Sequence, residues 1–407
     1  MYANVALLSL VACCYALVSG RMDRSRISGP ILFVAVGLLL GPAALGLLAL
    51  DVTAEGVRLL AELTLSIVLF SDAANADLDQ IRRTRFLPRR LLLVGLPLTI
   101  LLGFVAGAVL LPGLSILETA LLAAALAPTD AALGKPVVTN EAVPPEIRES
   151  LNFESGLNDG ICVPIVVLLL GAAAGVDAEG RPVAHVLATV IEEIGIGLVV
   201  GAALAIPGAV LLSRARAAGW LGSNWTGVPA MGLAVATFAL AQHLGGSGFI
   251  ACFGGGLIFG ARQPDRHALL RAAEGTGDVL SLVTWVVFGA LVVLQVSGAV
   301  TGAVVLYAIL SLTLVRMLPV WLCLTGTGVD ARDRLFIGWF GPRGLASIVF
   351  GVMIVLADLE GGGKIAATVV CTVLLSVICH GASATPLIRA LGAGWSRAES
   401  DPVRNHQ

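Results

Sequence analysis

Apolar residues run along this chain in long, nearly unbroken blocks separated by short polar stretches. A helix needs about 20 such residues to cross the hydrocarbon core of a bilayer. Blocks of roughly that size lie at approximately 3–19, 29–49, 56–74, 89–112, 116–138, 147–173, 183–213, 225–243, 247–261, 275–297, 300–325, 333–357 and 364–391. The pattern predicts thirteen helical spans and no sheet. Charge supplies the orientation, because Lys and Arg gather in cytoplasmic loops. With the N-terminus outside, the inward loops hold 20 of the 25 Lys and Arg residues, including Arg21, Arg24, Arg26, Arg82, Arg83, Arg85, Arg214 and Arg216, and Arg404 in the tail. Outward loops hold Arg58, Arg181 and Lys364, and Arg316 and Arg343 fall inside spans. A span too many or too few would invert the alternation beyond it, so the expected topology is N-out and C-in.

Composition agrees. The chain has 407 residues, is 57% hydrophobic and 13% charged, and has a mean hydropathy of +0.94. Soluble domains carry about 25% charged residues, so the expected class is an all-α polytopic membrane protein. The first block reads as a retained N-out anchor and not as a cleaved leader, since Met1–Val5 lacks a cation and Arg21–Arg26 follows the apolar run. The seven cysteines all sit in apolar runs without metal spacing and read as small hydrophobes. Nothing points to nucleic acid; the expected surroundings are the lipid bilayer.

Two blocks contain a proline followed at once by charge: Pro128-Thr129-Asp130 in the fifth and Gly341-Pro342-Arg343-Gly344 in the twelfth. These prolines are 214 positions apart, an offset that also brings block four onto eleven and six onto thirteen. Six spans, one connecting span and six more give two halves of opposite topology. The expected division is a first repeat over about 1–174, a connecting span over about 183–213 and a second repeat over about 222–397, with a short cytoplasmic tail at 398–407. Paired interrupted segments at matching positions point to a transporter's midplane binding site. Broken helix ends carry partial charges, positive at N-termini and negative at C-termini. Asp130 and Arg343 have the signs to balance them.

Block six reads S-L-N-F-E-S-G-L-N-D-G over Ser150–Gly160. On a helix Glu154 and Asn158 share one stripe, and Ser155 and Asp159 share the next. Ionisable groups within a bilayer are costly and usually mark an ion or proton path. Hard monovalent cations prefer oxygen ligands, which Asp159, Glu154 and Ser155 can supply together with the unwound backbone at Thr129. A carboxylate on a narrow aqueous path binds either a proton or a cation. That competition, coupled to a switch in access, suffices for exchange, and Asp159 is the expected exchanging group. Asn158 does not titrate and is expected to tie span six to the broken backbone of span five, where Gly156 and Gly160 would allow close approach. Arg316, mid-span in S-L-T-L-V-R-M-L-P-V, needs an acid, and Glu154 is the expected partner. Glu62, Asp72, Glu118, Glu192 and Glu193 also lie in or near spans. His243 and His380 are placed near span ends as packing residues.

Taken together, T-D in span five, E-S-x-x-N-D in span six, Arg-x-x-Pro in span eleven and G-x-R-G in span twelve resemble cation/proton antiporter family one, the branch of the bacterial NhaP proteins and animal sodium/proton exchangers. The resemblance covers nearly the whole chain. It implies a single antiporter membrane domain over 1–397 that forms a homodimer in the cell (inner) membrane. Within each protomer a six-helix core, spans 4–6 and 11–13, moves against a dimerisation scaffold. By position it implies Na+ at Asp159, Glu154, Ser155 and Thr129, Asp130 nearby through water, and Glu154 with Arg316 as an intramembrane ion pair. The Asn-Asp pair resembles the electroneutral branch. Two departures are Ala131, where many members have proline, and the short tail, which bears on tail-based regulation. The partners expected are monovalent cations and protons, with no cofactor. The leading expectation is thus Na+/H+ exchange. K+/H+ exchange on the same fold stands beside it, and an organic-anion symporter using Arg343 is a further alternative. An intramembrane aspartyl protease, the enzyme alternative, would need a G-x-G-D type motif that this chain lacks.

Overall fold

The computed structural model describes residues 2–22, 28–42, 44–48, 54–76, 87–179, 183–292 and 297–399. Arg24, Arg26, Arg82, Arg83, Arg85, Arg181, Arg404 and the tail from residue 400 lie outside them. Among the described residues all regular structure is helical. The helices are α1 (Tyr2–Met22), α2 (Gly29–Leu40), α3 (Ala54–Asn75), α4 (Leu87–Leu110), α5 (Ile116–Ala125), α6 (Ala131–Val138), α7 (Pro145–Glu179) and α8 (Val183–Ala217). They continue with α9 (Val228–His243), α10 (Gly248–Arg262), α11 (Arg266–Val287), α12 (Gly302–Leu312), α13 (Leu314–Cys323), α14 (Ala331–Trp339), α15 (Leu345–Leu356) and α16 (Gly362–Glu399). Among the described residues, six stretches are long and apolar enough to cross a membrane: Tyr2–Met22, Leu87–Leu110, Pro145–Gly175, Ile191–Ala217, Gly302–Cys323 and Gly362–Gly392.

The interruptions follow from local chemistry. Pro97 has no N–H for the carbonyl four residues back, and the preceding turn Leu91–Gly95 of α4 widens into a π-helix. The α2 helix stops at Leu40, short of the expected residue 49, because Gly41 precedes Pro42 and is pushed to extended backbone at ψ −179°. Span five is split between α5 and α6, and span twelve between α14 and α15, as the proline-charge doublets predict. A third split, between α12 and α13, was not expected. There Thr313 leaves helical geometry at φ −108° and ψ −95°, and its hydroxyl bonds the Ile309 carbonyl at 2.7 Å, a back-bond that bends helices.

The helices form two packed groups. In one, α3 packs against α10 and α11, and α8 against α10; in the other, α4 packs on α5, α5 on α7, and α12 and α15 on α16. Gly256 and Gly260 of α10 lie so close to α3 that an added Cβ would fall 2.5 Å from the Phe70 carbonyl and 2.0 Å from that of Ala74. Such small residues are what let helix backbones approach in a membrane. Helices α7 and α15 reach across to α3, so the polar residues of α7 lie where the two groups meet.

Candidate functional site

The two broken segments cross, and each is held by a side chain from the doublets. Asp130 is the N-cap of α6: Oδ1 accepts from Leu133 N at 3.0 Å. Its Oδ2 accepts from Leu345 N at 2.8 Å, in the first turn of α15. One carboxylate therefore serves two helix N-termini, where negative charge is favoured. The two strands of the crossing are also joined directly, Asp130 N donating to the Pro342 carbonyl at 2.7 Å. Arg343 supplies the opposite charge. Its Nη1 donates to the carbonyls of Ala127 and Pro128, the latter at 3.1 Å, beyond the C-terminus of α5. Gly344 is required for contact, since a Cβ there would lie 1.9 Å from Asp130 Oδ2.

Thr129 sits within the break. Its Oγ1 accepts from Asn158 Nδ2 at 2.7 Å and lies 3.0 Å from Ser155 Oγ. Asn158 thus ties α7 to the broken segment through its amide. Asp159, one position on, is buried, and its Oδ1 makes no hydrogen bond to protein. Asn158 Oδ1 is in the same condition. Asp130 and Asp72 lie within electrostatic reach of Asp159. Pro164 cannot donate to the Gly160 carbonyl, which leaves a further oxygen beside Asp159 outside the regular helical ladder. Thr129 meets Ser155, and Asp159 follows one turn along α7 on the same stripe, all three buried; these oxygen groups suit a hard monovalent cation and not a soft transition metal.

Glu154 is held elsewhere. The Arg316 guanidinium grips it in a fork, Nη1 to Oε1 at 2.5 Å and Nη2 to Oε2 at 2.7 Å, with both side chains 1% exposed. Both carboxylate oxygens are committed to this pair, so Glu154 faces Arg316 more than it faces the Thr129 cluster. Arg316 lies three residues past the α12–α13 break at Thr313 and is buried.

Two expectations need correction. Gly156 and Gly160 do not serve the approach of the fifth segment: a Cβ on Gly160 would lie 2.0 Å from the ring of Phe253 in α10, and one on Gly156 would lie 3.7 Å from Asp72 Cβ in α3. His380 is not near a span end but in the interior of α16, 1% exposed, with both ring nitrogens in polar contact. Asp72 is a further acid at this place, not singled out by the sequence pattern. It faces α7 from the end of α3 and lines a cavity of about 370 Å³ with Asn75, Glu149, Asn152, Gly156 and Arg266. An acid inside the apolar stretch S-I-V-L-F-S-D-A-A was the available signal.

Comparison with known proteins places this architecture. Residues 8–390 match the family model described as sodium/hydrogen exchanger, transmembrane. The K(+)/H(+) antiporter NhaP2 of Shewanella sp. (strain ANA-3) is 28% identical over 390 residues, covering 94% of this chain and 66% of that protein. The Na(+)/H(+) antiporter ApNhaP of Aphanothece halophytica is 25% identical over 397 residues, covering 93% of this chain and 74% of its own. The chain spans about two thirds of the length of the Shewanella relatives it matches. The sodium proton antiporter MjNhaP1 from Methanocaldococcus jannaschii has a similar fold, with a TM-score of 0.75 at 21% identity, covering 93% of this chain and 98% of that one.

Proposed function

The chain belongs to the sodium/hydrogen exchanger family, as a multi-pass membrane protein, and we propose that it exchanges one monovalent cation for one proton across the bacterial inner membrane. The observation that carries this reading is the buried Asp159 carboxylate, one turn along α7 from Ser155 and its partner Thr129, with an oxygen that no protein group engages. A dehydrated cation or a proton satisfies that oxygen, and one excludes the other. Asp130 and Arg343 neutralise the broken helix ends, so the site needs no rearranged solvent there. Arg316 holds Glu154 in place through a two-point fork, and Asn158 fixes Thr129 through its amide. Asp72 extends the acidic lining into the cavity and attracts cations towards Asp159. No cofactor takes part beyond the transported ions.

In this reading thirteen spans run N-out and C-in as two inverted six-helix repeats around a connecting span, α8. The group of α4–α7 with α12–α16 moves against the group of α2, α3 and α8–α11, which also forms a homodimer. The α7 helix lies at their boundary, so rigid movement of one group changes the side from which Asp159 is reached. Na+ is the leading cargo. K+ is the second reading, favoured because the Shewanella relative is a K(+)/H(+) antiporter. The deciding experiment is exchange in proteoliposomes under an imposed pH gradient, with Na+, K+ or Li+ added in turn. Cation-dependent dissipation of the gradient is expected. No dissipation by any of the three, in a protein that is folded and oriented, rejects the function.

A further inference from the structure

Residues 340–344 join α14 to α15 outside helical geometry, and both edges of this segment are tied to α16. His380 Nε2 lies 2.9 Å from the Trp339 carbonyl, to which the ring donates in the tautomer protonated at Nε2. Four residues earlier, on the same face, Ser376 Oγ accepts from the Arg343 backbone N–H at 2.7 Å. His380 Nδ1 faces Ser376, 3.1 Å from Oγ and 2.9 Å from its carbonyl oxygen. The Trp339 ring packs on the imidazole with centroids 4.9 Å apart, and its Nε1 donates to Ser383 Oγ at 2.9 Å. Thr368 and Thr372 continue the same stripe, yet their hydroxyls bond carbonyls one turn back in their own helix. Ser376 and His380 differ in reaching out to another segment.

Between these ties lie the groups that shape the cation site. Gly341 passes so near Arg316 that a Cβ would lie 2.3 Å from Nε. The Pro342 carbonyl accepts from Asp130 N, and the Arg343 guanidinium holds the carbonyls of Ala127 and Pro128. A displacement of 340–344 therefore displaces Thr129 and Asp130, and through Thr129 the bonds to Asn158 and Ser155.

We propose that His380 and Ser376 are positioning residues for the cation site, clamping the 340–344 segment at its two ends without touching the ion. The proposal rests on reading Thr129, Ser155 and Asp159 as the transport site. Its test uses Ser376→Ala and His380→Ala, with Ser376→Thr and His380→Gln as variants that keep an equivalent polar group. Three quantities are measured on each purified protein: apparent KM and maximal rate for Na+ and K+ in proteoliposomes, melting temperature, and hydrogen–deuterium exchange of peptides spanning 127–130 and 339–345. The alanine variants are expected to raise apparent KM by roughly tenfold, about the loss of one buried hydrogen bond. Maximal rate should change less, both peptides should exchange faster together, and the Thr and Gln variants should return towards wild type. A lowered melting temperature with KM unchanged, or faster exchange confined to 339–345, overturns the proposal. If the wild type drives no cation-dependent proton flux, the transport reading fails by itself. Joint exchange of the two peptides then still decides whether α16 positions the crossing.

Discussion

At the scale of single residues, the buried charges divide into committed and uncommitted groups. Both oxygens of Glu154 and of Asp130 are engaged by protein donors, whereas Asp159 leaves one carboxylate oxygen unengaged. Arg316 and Arg343 donate through their terminal nitrogens, although Arg316 Nε and Arg343 Nε and Nη2 find no partner. Asp159→Asn should therefore abolish cation-dependent dequenching of a proton-gradient dye in vesicles while the protein still folds; appreciable exchange by this variant removes Asp159 from the central role. The committed pair calls for a different measurement. Removing one partner of a buried ion pair costs about 3–5 kcal/mol, because the other charge is stranded. Glu154→Gln and Arg316→Ala should each lower the melting temperature clearly, and the double variant should lose less than their sum. Strictly additive losses would mean that the two charges are not coupled. These residues were legible in the sequence because so few ionisable groups interrupt its apolar runs, and each interruption needs a partner or a task. Asp72 was harder to see, since it lies near the end of its helix, where an acid is ordinarily solvated. Only the fold turns it towards α7.

At the scale of elements, the apolar runs located the helices well, and the proline-charge doublets located two of the breaks. The split at Thr313 left little trace, because one Thr in an apolar helix is usually harmless and its bend comes from a hydroxyl back-bond that many Thr residues make without breaking a helix. The partner of each glycine was equally hidden: Gly160 looks available to any neighbour, and only packing assigns it to Phe253. Gly344 offers a sharp test of the crossing. Its Cβ has no room beside Asp130 Oδ2, so Gly344→Ala should push the two broken segments apart, costing about 1–3 kcal/mol as overpacking does. Cation exchange should fall with it. Gly134→Ala in α6 is the control, having nothing within 4 Å of the added Cβ, and should leave melting temperature and exchange near wild type. Equal behaviour of the two variants would show that the crossing tolerates movement and that Asp130 does not depend on close approach to α15.

At the scale of the whole molecule, the question is how much charge moves per cycle. In the proposed cycle Asp159 alternates between a cation and a proton, each bringing one positive charge. Its neighbour on the helix, Asn158, adds no titrating group, and its amide is occupied with Thr129. Arg316 is committed to Glu154 in a buried ion pair and is not part of the exchange. One charge then crosses in each direction, and exchange should be indifferent to membrane potential. The measurement is exchange rate in proteoliposomes clamped with potassium and valinomycin, with Na+ as the transported ion. A rate that changes with the clamped potential would require a second titrating group in the cycle, for which Asp72 is the first candidate, and Asp72→Asn should then restore insensitivity. The same competition sets the sign of the pH effect. Lowering the pH fills Asp159 with protons, so apparent KM for the cation should rise as pH falls, while raising the pH removes the proton to be exchanged and slows the return step. Introducing an acid by Asn158→Asp need not make transport electrogenic, because the added carboxylate would lose its bond to Thr129 and sit near the cation Arg316, which can neutralise it. A potential-dependent rate in that variant would mean instead that position 158 alone sets the charge carried per cycle.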